Sequence, residues 1–343
     1  MELQNIWFII WASLWVVYFL LDGFVLGAGM LYPFLAKDSH DKKILLKTIG
    51  PVWDGNEVWL IMVGAGTFAV FPAAYALLFS YLYPVFLLLL FALIVRGVSI
   101  EFREELFVRG WRKTWDGVFV LSSFLPAFLF GVLFGNLFLG LPFDAIGYHG
   151  SFLRLLNGYS LLMGALFVLL FLVHGSLYAS LKITGPLTHT ALHTARRIWI
   201  PLVAVMAIVL VLTSFTTRLG DSYRTSYALI TVPLLAVLAL IAIRMFLAAK
   251  KPFMAFVSSS AVILFFMTSG FIGLFPNLIP SSIDASHNLT AYNASASPYA
   301  LKIMLITSFI FFPLVIGYTI WAYYVFRERI KAEEVSDETS SGY

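Results

Sequence analysis

The run Gly50-Pro51-Val52-Trp53-Asp54-Gly55-Asn56-Glu57-Val58-Trp59-Leu60 opens an apolar stretch long enough to cross a membrane. It places two carboxylates and an amide in the first turns of that stretch. A charged side chain in hydrocarbon costs roughly 2.5–3.5 kcal/mol even on lenient insertion scales, so an acid there is a candidate functional residue. Asp54 and Glu57 are three residues apart and therefore share one face of a helix. We expect the function of the chain to lie on that face.

The whole chain has the composition of a polytopic membrane protein. Of its 343 residues 61% are hydrophobic and only 12% are charged, which excludes an ordinary soluble domain. Runs of membrane length predict an all-α protein with nine transmembrane helices, at 6–34, 52–70, 75–95, 117–137, 152–181, 198–217, 227–249, 253–275 and 300–326. The first run has no basic segment before it and no cleavage site, so we predict a retained helix, not a signal peptide. The chain has no cysteine, which excludes zinc–thiolate sites, iron–sulfur clusters and thiol catalysis.

The basic residues are distributed very unevenly between the two sides of the predicted membrane. All of the 22 Lys and Arg residues fall on one side, except Arg154, Arg218, Arg224 and Lys302. Because basic residues are retained in the cytoplasm, this distribution predicts a multi-pass protein of the cell membrane with its N-terminus outside and its C-terminus, including the tail 327–343, in the cytoplasm. Topology also accounts for the basic balance of the chain, so we predict no nucleic-acid partner.

Three carboxylates are predicted at similar depth near the cytoplasmic face. Asp22 lies late in the first span, and Asp54 and Glu57 begin the second span from the same side, with Asn56 between them. Burial there disfavours the charged form of an acid and makes proton exchange near neutral pH possible. Two structural alternatives stay open. Asp54 would cap the second span, and Glu57 would form an ion pair at the level of the headgroups.

A second group of charged residues follows the third span. Arg96, Glu101 and Arg103, with Glu104 and Glu105, predict a mutually paired network at the inner surface; the alternative is a docking surface or a proton entrance. Tryptophans near the span ends, among them Trp53 and Trp59, are typical of an aromatic belt at the membrane interface.

The histidines do not predict a haem or metal site in this chain. Haem iron is usually held by His or Met side chains. His174 is the only histidine inside a predicted span, and it has no second histidine to share a haem. His189 and His193 are four residues apart, but they fall in a predicted cytoplasmic loop without an accompanying acid. We therefore predict a solvated pair there, no metal site, and no haem ligated by this chain.

The run Gly50–Leu60 resembles the signature of subunit II of the cytochrome bd-type quinol oxidases. Further stretches resemble that family in the same order: Leu21-Asp22-Gly23-Phe24 with Leu26-Gly27, Arg96-Gly97 with Glu101-Phe102-Arg103, Trp111 with Trp115-Asp116-Gly117, Gly135-Asn136-Leu137 with Gly140-Leu141-Pro142-Phe143, and Phe275-Pro276 with Pro280-Ser281-Ser282. The resemblance implies one membrane domain over 1–343, made of a four-helix bundle in 1–150, a second in 151–299, a peripheral ninth helix in 300–326 and the tail.

The resemblance also implies a function and a partner. Subunit II would be a haemless scaffold for subunit I, which holds two b-type haems, one d-type haem and the quinol site. The heterodimer, in some members with a small single-helix accessory subunit, would oxidise quinol, reduce oxygen to water and take the protons from the cytoplasm. Asp54 matches the acid of the family's proposed proton path, and Asp22 matches the first acid of an Asp-Gly-Phe-Asp-Leu-Gly run. Val25 stands where that run has its second acid, and valine cannot relay a proton.

Two other functions stay open from the residues alone. One is a proton-coupled transporter that uses Asp22 and Asp54 as coupling acids. Such transporters usually have matched interrupted helices near the midplane, which this sequence does not show. The other is a purely structural membrane scaffold in which every carboxylate is a cap or part of an ion pair.

Overall fold

The computed structural model describes residues 2–106 and 108–331, and this part of the chain is mostly helical. Its α-helices, in chain order, are α1 Leu3–Leu35, α2 Ser39–Ile49, α3 Trp53–Val70, α4 Pro72–Tyr81, α5 Tyr83–Phe102, α6 Arg109–Leu139, α7 Gly158–Lys182, α8 Pro186–Thr216, α9 Gly220–Thr225, α10 Thr231–Ala248, α11 Pro252–Leu274 and α12 Pro298–Val325. Two short strands, β1 Asn277–Ile279 and β2 Leu289–Thr290, pair antiparallel in the loop between α11 and α12.

The predicted class, an all-α polytopic membrane protein, is confirmed. Within the described residues eight helices are long and apolar enough to cross a membrane, and the one that contains α10 runs over Tyr227–Ala248. A ninth candidate span is α3 followed by α4, which are bent by 117° relative to each other. The bend falls at Phe71, and Pro72 then begins α4, where its missing N–H costs nothing.

Several predicted boundaries are wrong, among them those of the third and sixth spans. The third span begins at Tyr83, not at 75, because residues 72–81 form α4, and Pro84 in the first turn of α5 starts a new helix. The sixth span begins at Pro186, since the polar segment 186–197 continues as helix into the apolar part of α8. The segment between the first two predicted spans is not all loop, because part of it is α2, whose first turn is capped by the side chain of Asp38.

The two ends of the helix assembly differ in charge. We call the end where α1 finishes and α3 begins the basic end; Lys42 of α2 and Asp116 of α6 pair there at 2.6 Å. Arg329, beyond α12, donates to the carbonyls of Ser180 and Ile183 at the same end. We call the opposite end, which carries residues 140–157 and 275–297, the loop end. Four basic residues were predicted on the opposite side of the membrane from the others, and they belong to segments at the loop end: Arg154, Arg218, Arg224 and Lys302. The predicted tail 327–343 is described only to Lys331; the rest lies outside the described residues.

Helix α1 is the centre of the assembly and contacts α3, α6, α7, α11 and α12. Its closest approach is to α7, where Gly27 meets Gly175. A Cβ atom on Gly27 would overlap the carbonyl of Phe171, so the two backbones touch only because neither position has a side chain. Around this crossing, Phe19, Phe134 and other aromatic rings pack edge to face. The division into two four-helix bundles stays a prediction.

Candidate functional site

Three helices bring one arginine and two carboxylates together inside the assembly. Nη2 of Arg96 on α5 donates to Oδ1 of Asp22 on α1 over 3.0 Å and also to Oε1 of Glu57 on α3. The side chains of Arg96 and Asp22 have no exposed surface, and that of Glu57 is 20% exposed. An ion cluster of Arg96, Asp22 and Glu57 is therefore enclosed where α1, α3 and α5 pack together.

Tyr18 completes the surroundings of Asp22. It lies one turn earlier on α1, and its hydroxyl donates to Oδ2 of Asp22 over 3.0 Å. Both carboxylate oxygens of Asp22 thus accept a hydrogen bond from a side chain. Two other donors in the cluster, Nε and Nη1 of Arg96, are buried without a hydrogen-bond partner among the described residues. Buried N–H groups are usually paired, so the cluster has the donors that an ordered water would need.

Asn56 is buried beside the cluster and fastens three helices together. Its Nδ2 donates to the carbonyl of Leu21 on α1 over 2.8 Å, and its Oδ1 accepts from the hydroxyl of Tyr323 on α12 over 2.8 Å. The amide supplies one donor and one acceptor, which an aspartate at this position would not do. Asn56 therefore sets where α3 stands against α1 and α12, and it does not pair with Arg96.

Asp54 lies apart from the cluster although it is on the same helix as Glu57. It is exposed in the first turn of α3, and its side chain has no hydrogen bond or ion pair with any residue in the described part of the chain. The cap that was left open as an alternative is not formed, because Val52 occupies the N-cap position and no side chain bonds to the free N–H groups. An acid in the first turn still interacts favourably with the helix dipole.

Of the two tryptophans of the same motif, Trp59 is buried and Trp53 is half-buried. The indole of Trp53 lies against Gly97 of α5, where an added Cβ atom would come within 2.8 Å of the ring. Trp59 is buried in the core, and its Nε1 has no partner among residues 2–106 and 108–331. The prediction of an aromatic-belt anchor is therefore wrong for Trp59, which is buried and not exposed at the membrane interface.

The charged network predicted after the third span is divided in two. Arg96 belongs to the buried cluster, because it lies seven residues, about 10 Å of helix rise, deeper along α5 than Arg103. Nε of Arg103 donates to Oδ1 of Asp116 over 2.6 Å, and the same guanidinium pairs with Glu104. Glu101 is exposed and pairs with none of the described residues. The single network is thus a wrong prediction, and the paired residues at the basic end join α5 to α6.

One buried polar residue was not assigned a role by the sequence. His174 on α7 is fully buried; its Nδ1 lies 2.8 Å from the hydroxyl of Ser259, and its Nε2 lies 3.1 Å from the carbonyl of Leu20. The ring is stacked on Phe256. Both ring nitrogens are used in contacts that tie α7 to α11 and α1. His189 and His193, predicted in a loop, lie on the first turns of α8 and are exposed.

Sequence signals existed for some of these contacts. Tyr18 and Asp22 are four residues apart, which places them on one face of α1. Arg96 is a charged residue late in an apolar run, which is costly without a partner. The identity of its partners depends on how α1, α3 and α5 cross, and no spacing within one helix reveals that.

These features define a class: a polytopic helical membrane protein with a buried ion cluster near one end. The sequence matches the family model described as cytochrome bd terminal oxidase subunit II over residues 3–326. This match covers most of the chain, and the chain belongs to that family.

Curated relatives agree with the family match over their full length. The chain is 38% identical over 340 residues to cytochrome bd ubiquinol oxidase subunit 2 of Bacillus subtilis, covering 97% of this chain and 98% of the relative. It is 30% identical over 373 residues to cytochrome bd-I ubiquinol oxidase subunit 2 of Escherichia coli, covering 99% and 98%. The fold resembles a chain of the bd oxidase from Geobacillus thermodenitrificans with a TM-score of 0.76 at 17% identity, covering 95% of this chain and 99% of that one.

Proposed function

We propose that this subunit acts in a bd-type oxidase of the bacterial cytoplasmic membrane that oxidises quinol and reduces oxygen to water. It would scaffold a haem-bearing subunit I, which holds two b-type haems, one d-type haem and the quinol site. The names of the Bacillus subtilis and Escherichia coli relatives, which describe those proteins as subunits of ubiquinol oxidases, support this proposal. So does the coverage, since the chain spans nearly their whole length.

We further propose that no haem iron is ligated by this chain. His174 is the only buried residue among the six histidines, all of which lie in the described part. Its Nδ1 and Nε2 are already occupied by Ser259 and by the carbonyl of Leu20, so neither is free to bind iron without breaking a buried contact. The histidines present therefore do not fit a haem, and in this proposal the haems belong to the partner.

The basic end faces the cytoplasm in this proposal, with the N-terminus of α1 outside. The segregation of Lys and Arg supports this orientation. It places Asp54, Glu57 and Asp22 on the side from which the oxidase takes the protons that form water.

The observation that carries a proton role is the buried cluster of Arg96, Asp22 and Glu57, one helical turn from the exposed Asp54. Asp54 would receive protons from water, and the cluster would pass them inward. Asn56 would hold α3 in place for this transfer. Val25 is fully buried in an apolar part of the core, so the acid missing from helix α1 is not replaced there. Glu57 supplies a second carboxylate beside Asp22 from α3 instead.

The experiment purifies the detergent-solubilised complex through a tag on this chain and records a reduced-minus-oxidised optical spectrum. The proposal expects bands of b-type and d-type haem together with a copurifying large subunit. Gel analysis of the same sample reveals any small single-helix accessory subunit. A colourless chain that purifies alone from the same membranes would overturn the oxidase assignment.

A second experiment separates proton conduction from scaffolding. Asp54→Asn is compared with Glu105→Gln, which changes an exposed acid at the same end of the assembly. The proposal expects Asp54→Asn to lower quinol oxidation at unchanged haem content, and Glu105→Gln to leave it unchanged. Equal activity of all three proteins would leave a purely structural role for these carboxylates.

A further inference from the structure

The buried cluster holds more acid groups than it has positive charges. Arg96 is the only basic side chain that contacts Asp22 and Glu57 in the described structure. An arginine in a protein keeps its proton, so the cluster has one positive charge and two carboxyl groups. An uncompensated charge away from water is so costly that the group takes up a proton instead. The cluster is neutral when it holds one carboxylate and one carboxylic acid.

The hydrogen bonds assign the carboxylate to Asp22. Its Oδ1 accepts from Nη2 of Arg96 and its Oδ2 accepts from the hydroxyl of Tyr18, each over 3.0 Å. Protonation at Oδ1 would remove the acceptor that Arg96 needs, because a guanidinium only donates, and protonation at Oδ2 would require the Tyr18 hydroxyl to turn from donor to acceptor. Both hydrogen bonds, as they stand in the structure, are made to the ionised form of Asp22, which is the partner of Arg96.

Glu57 has room for the proton. Its Oε1 accepts from Arg96, whereas its Oε2 makes no hydrogen bond with the described residues. The side chain is 20% exposed, and Asp54 lies one turn closer to the end of α3. The titratable or charged groups that face Glu57 are Arg96 from α5, Asp22 and Tyr18 from α1, and Asp54 on its own helix. Of the two buried acids, only Glu57 has both an unoccupied oxygen and contact with the surface.

We propose that Glu57 is the exchangeable proton site of this cluster, and that Arg96 and Asp22 act as positioning residues which hold it there. The unpaired Nε and Nη1 donors of Arg96 support this assignment independently, because they mark a place for ordered water against the guanidinium. Oε2 of Glu57 takes up a proton from water or from Asp54 and gives it back to water, while Arg96 and Asp22 keep the side chain in place. This inference rests on the proposed proton role for its physiological meaning, but the protonation state can be measured without turnover.

The test is infrared difference spectroscopy of the assembled oxidase, in light and heavy water, with and without biosynthetic 13C-carboxyl glutamate. The proposal expects the C=O stretch of a protonated carboxylic acid that shifts in heavy water, shifts with labelled glutamate and is lost in Glu57→Gln. Asp22→Asn should also remove it, because Arg96 then has Glu57 as its only counter-ion. Glu105→Gln should leave the band in place.

Three results would overturn the proposal. The first is a band that persists in Glu57→Gln. The second is the absence of any protonated-acid band that distinguishes the unchanged protein from Glu57→Gln. The third is a band that shifts with labelled aspartate and not with labelled glutamate. If Glu57→Gln does not assemble, Glu57→Asp is measured instead, and the band must then change its sensitivity from labelled glutamate to labelled aspartate. Turnover is measured on the same samples. A band that is lost in Glu57→Gln without any loss of turnover keeps the proton site and rejects the proposed conduction.

Discussion

Nη2 of Arg96 on α5 lies 3.0 Å from Oδ1 of Asp22 on α1, and neither side chain has any exposed surface. The two residues are 74 positions apart in sequence. Their pairing fixes α5 against the central helix of the assembly and leaves Glu57, the third member of the cluster, close to the surface. Any proton that Glu57 exchanges is therefore taken up and released next to the Arg96–Asp22 pair.

Replacing Arg96 with leucine should destabilise the protein strongly. The change leaves Asp22 buried without its counter-ion, and breaking a buried pair in this way costs about 3–5 kcal/mol. Thermal unfolding of the purified complex measures the effect. Lys43→Leu is the control, because Lys43 pairs with Glu104 at 3.7 Å in a partly exposed site and should cost no more than about 1 kcal/mol. Similar losses for the two variants would contradict the account of the cluster.

Replacing Tyr323 with phenylalanine should loosen α12. The hydroxyl of Tyr323 donates to Oδ1 of Asn56 over 2.8 Å, and losing one such bond costs about 0.5–1.5 kcal/mol. Stability of the complex measures the change, and combining it with Asn56→Leu tests whether the two effects are coupled. Tyr318→Phe serves as the comparison, since Tyr318 on the same helix is 61% exposed. Additive effects of the Tyr323 and Asn56 changes would show that the bond does not fasten the helix.

Replacing Gly27 with alanine should disturb the crossing of α1 and α7. The new methyl group would overlap the carbonyl of Phe171, a backbone atom that cannot turn aside, and overpacking of this kind costs about 1–3 kcal/mol or more. The yield and unfolding temperature of the assembled complex report the loss. At Gly64 on α3 an added Cβ meets nothing within 4 Å, so Gly64→Ala should be neutral or slightly stabilising. A tolerated Gly27→Ala would mean that the helices stand further apart than described.

The loop end should loosen in acid through Asp144. Asp144 accepts a hydrogen bond from Nε2 of His149 over 2.9 Å and further bonds from the backbone N–H groups of Ile146 and Gly147. These bonds hold the pKa of Asp144 below its ordinary value. A lowered folded-state pKa gives stability that is present above the unfolded pKa, about 3.9, and is lost as the pH falls through the folded value. Pepsin cleavage within residues 140–157 should therefore increase over that acidic range.

The matched variants for this loop are Asp144→Asn and Asp221→Asn. Asp144→Asn should remove the acid-dependent increase in cleavage, because the amide does not titrate. Asp221→Asn changes an exposed acid 3.6 Å from Arg224, and its cleavage should increase in acid as it does in the unchanged protein. An acid-dependent increase that survives in Asp144→Asn would place its origin elsewhere in the loop.

The fold class followed from composition and from the length of the apolar runs, because a membrane-spanning chain must satisfy its backbone within helices. The break between α3 and α4 did not, since Phe71 and Pro72 stand within a continuous apolar run and hydropathy does not register a bend. The same limit misplaced the start of α8, where polar residues extend a helix beyond the apolar segment.

The acids of the candidate site were recognisable because charge is costly in an apolar run, and Asp22 and Glu57 do meet. Arg96 was assigned to the wrong network, because a sequence gives depth along one helix but not the face at which three helices cross. For Asp54 the spacing correctly predicted one helix shared with Glu57. It did not predict that the Asp54 side chain is exposed while that of Glu57 pairs with Arg96. The functional roles of Asp22, Asp54, Asn56 and Glu57 stay predictions.

The most direct test of the central claim is proton uptake by the fully reduced oxidase in liposomes after a pulse of oxygen. It is followed from the side of the basic end, in the unchanged protein and in Asp54→Asn/Glu57→Gln, at matched haem content. The account predicts that uptake slows at least about tenfold in the double variant, because a transfer step that loses its acid has a higher barrier. Uptake at the unchanged rate, with haem content preserved, would contradict a proton path through this subunit.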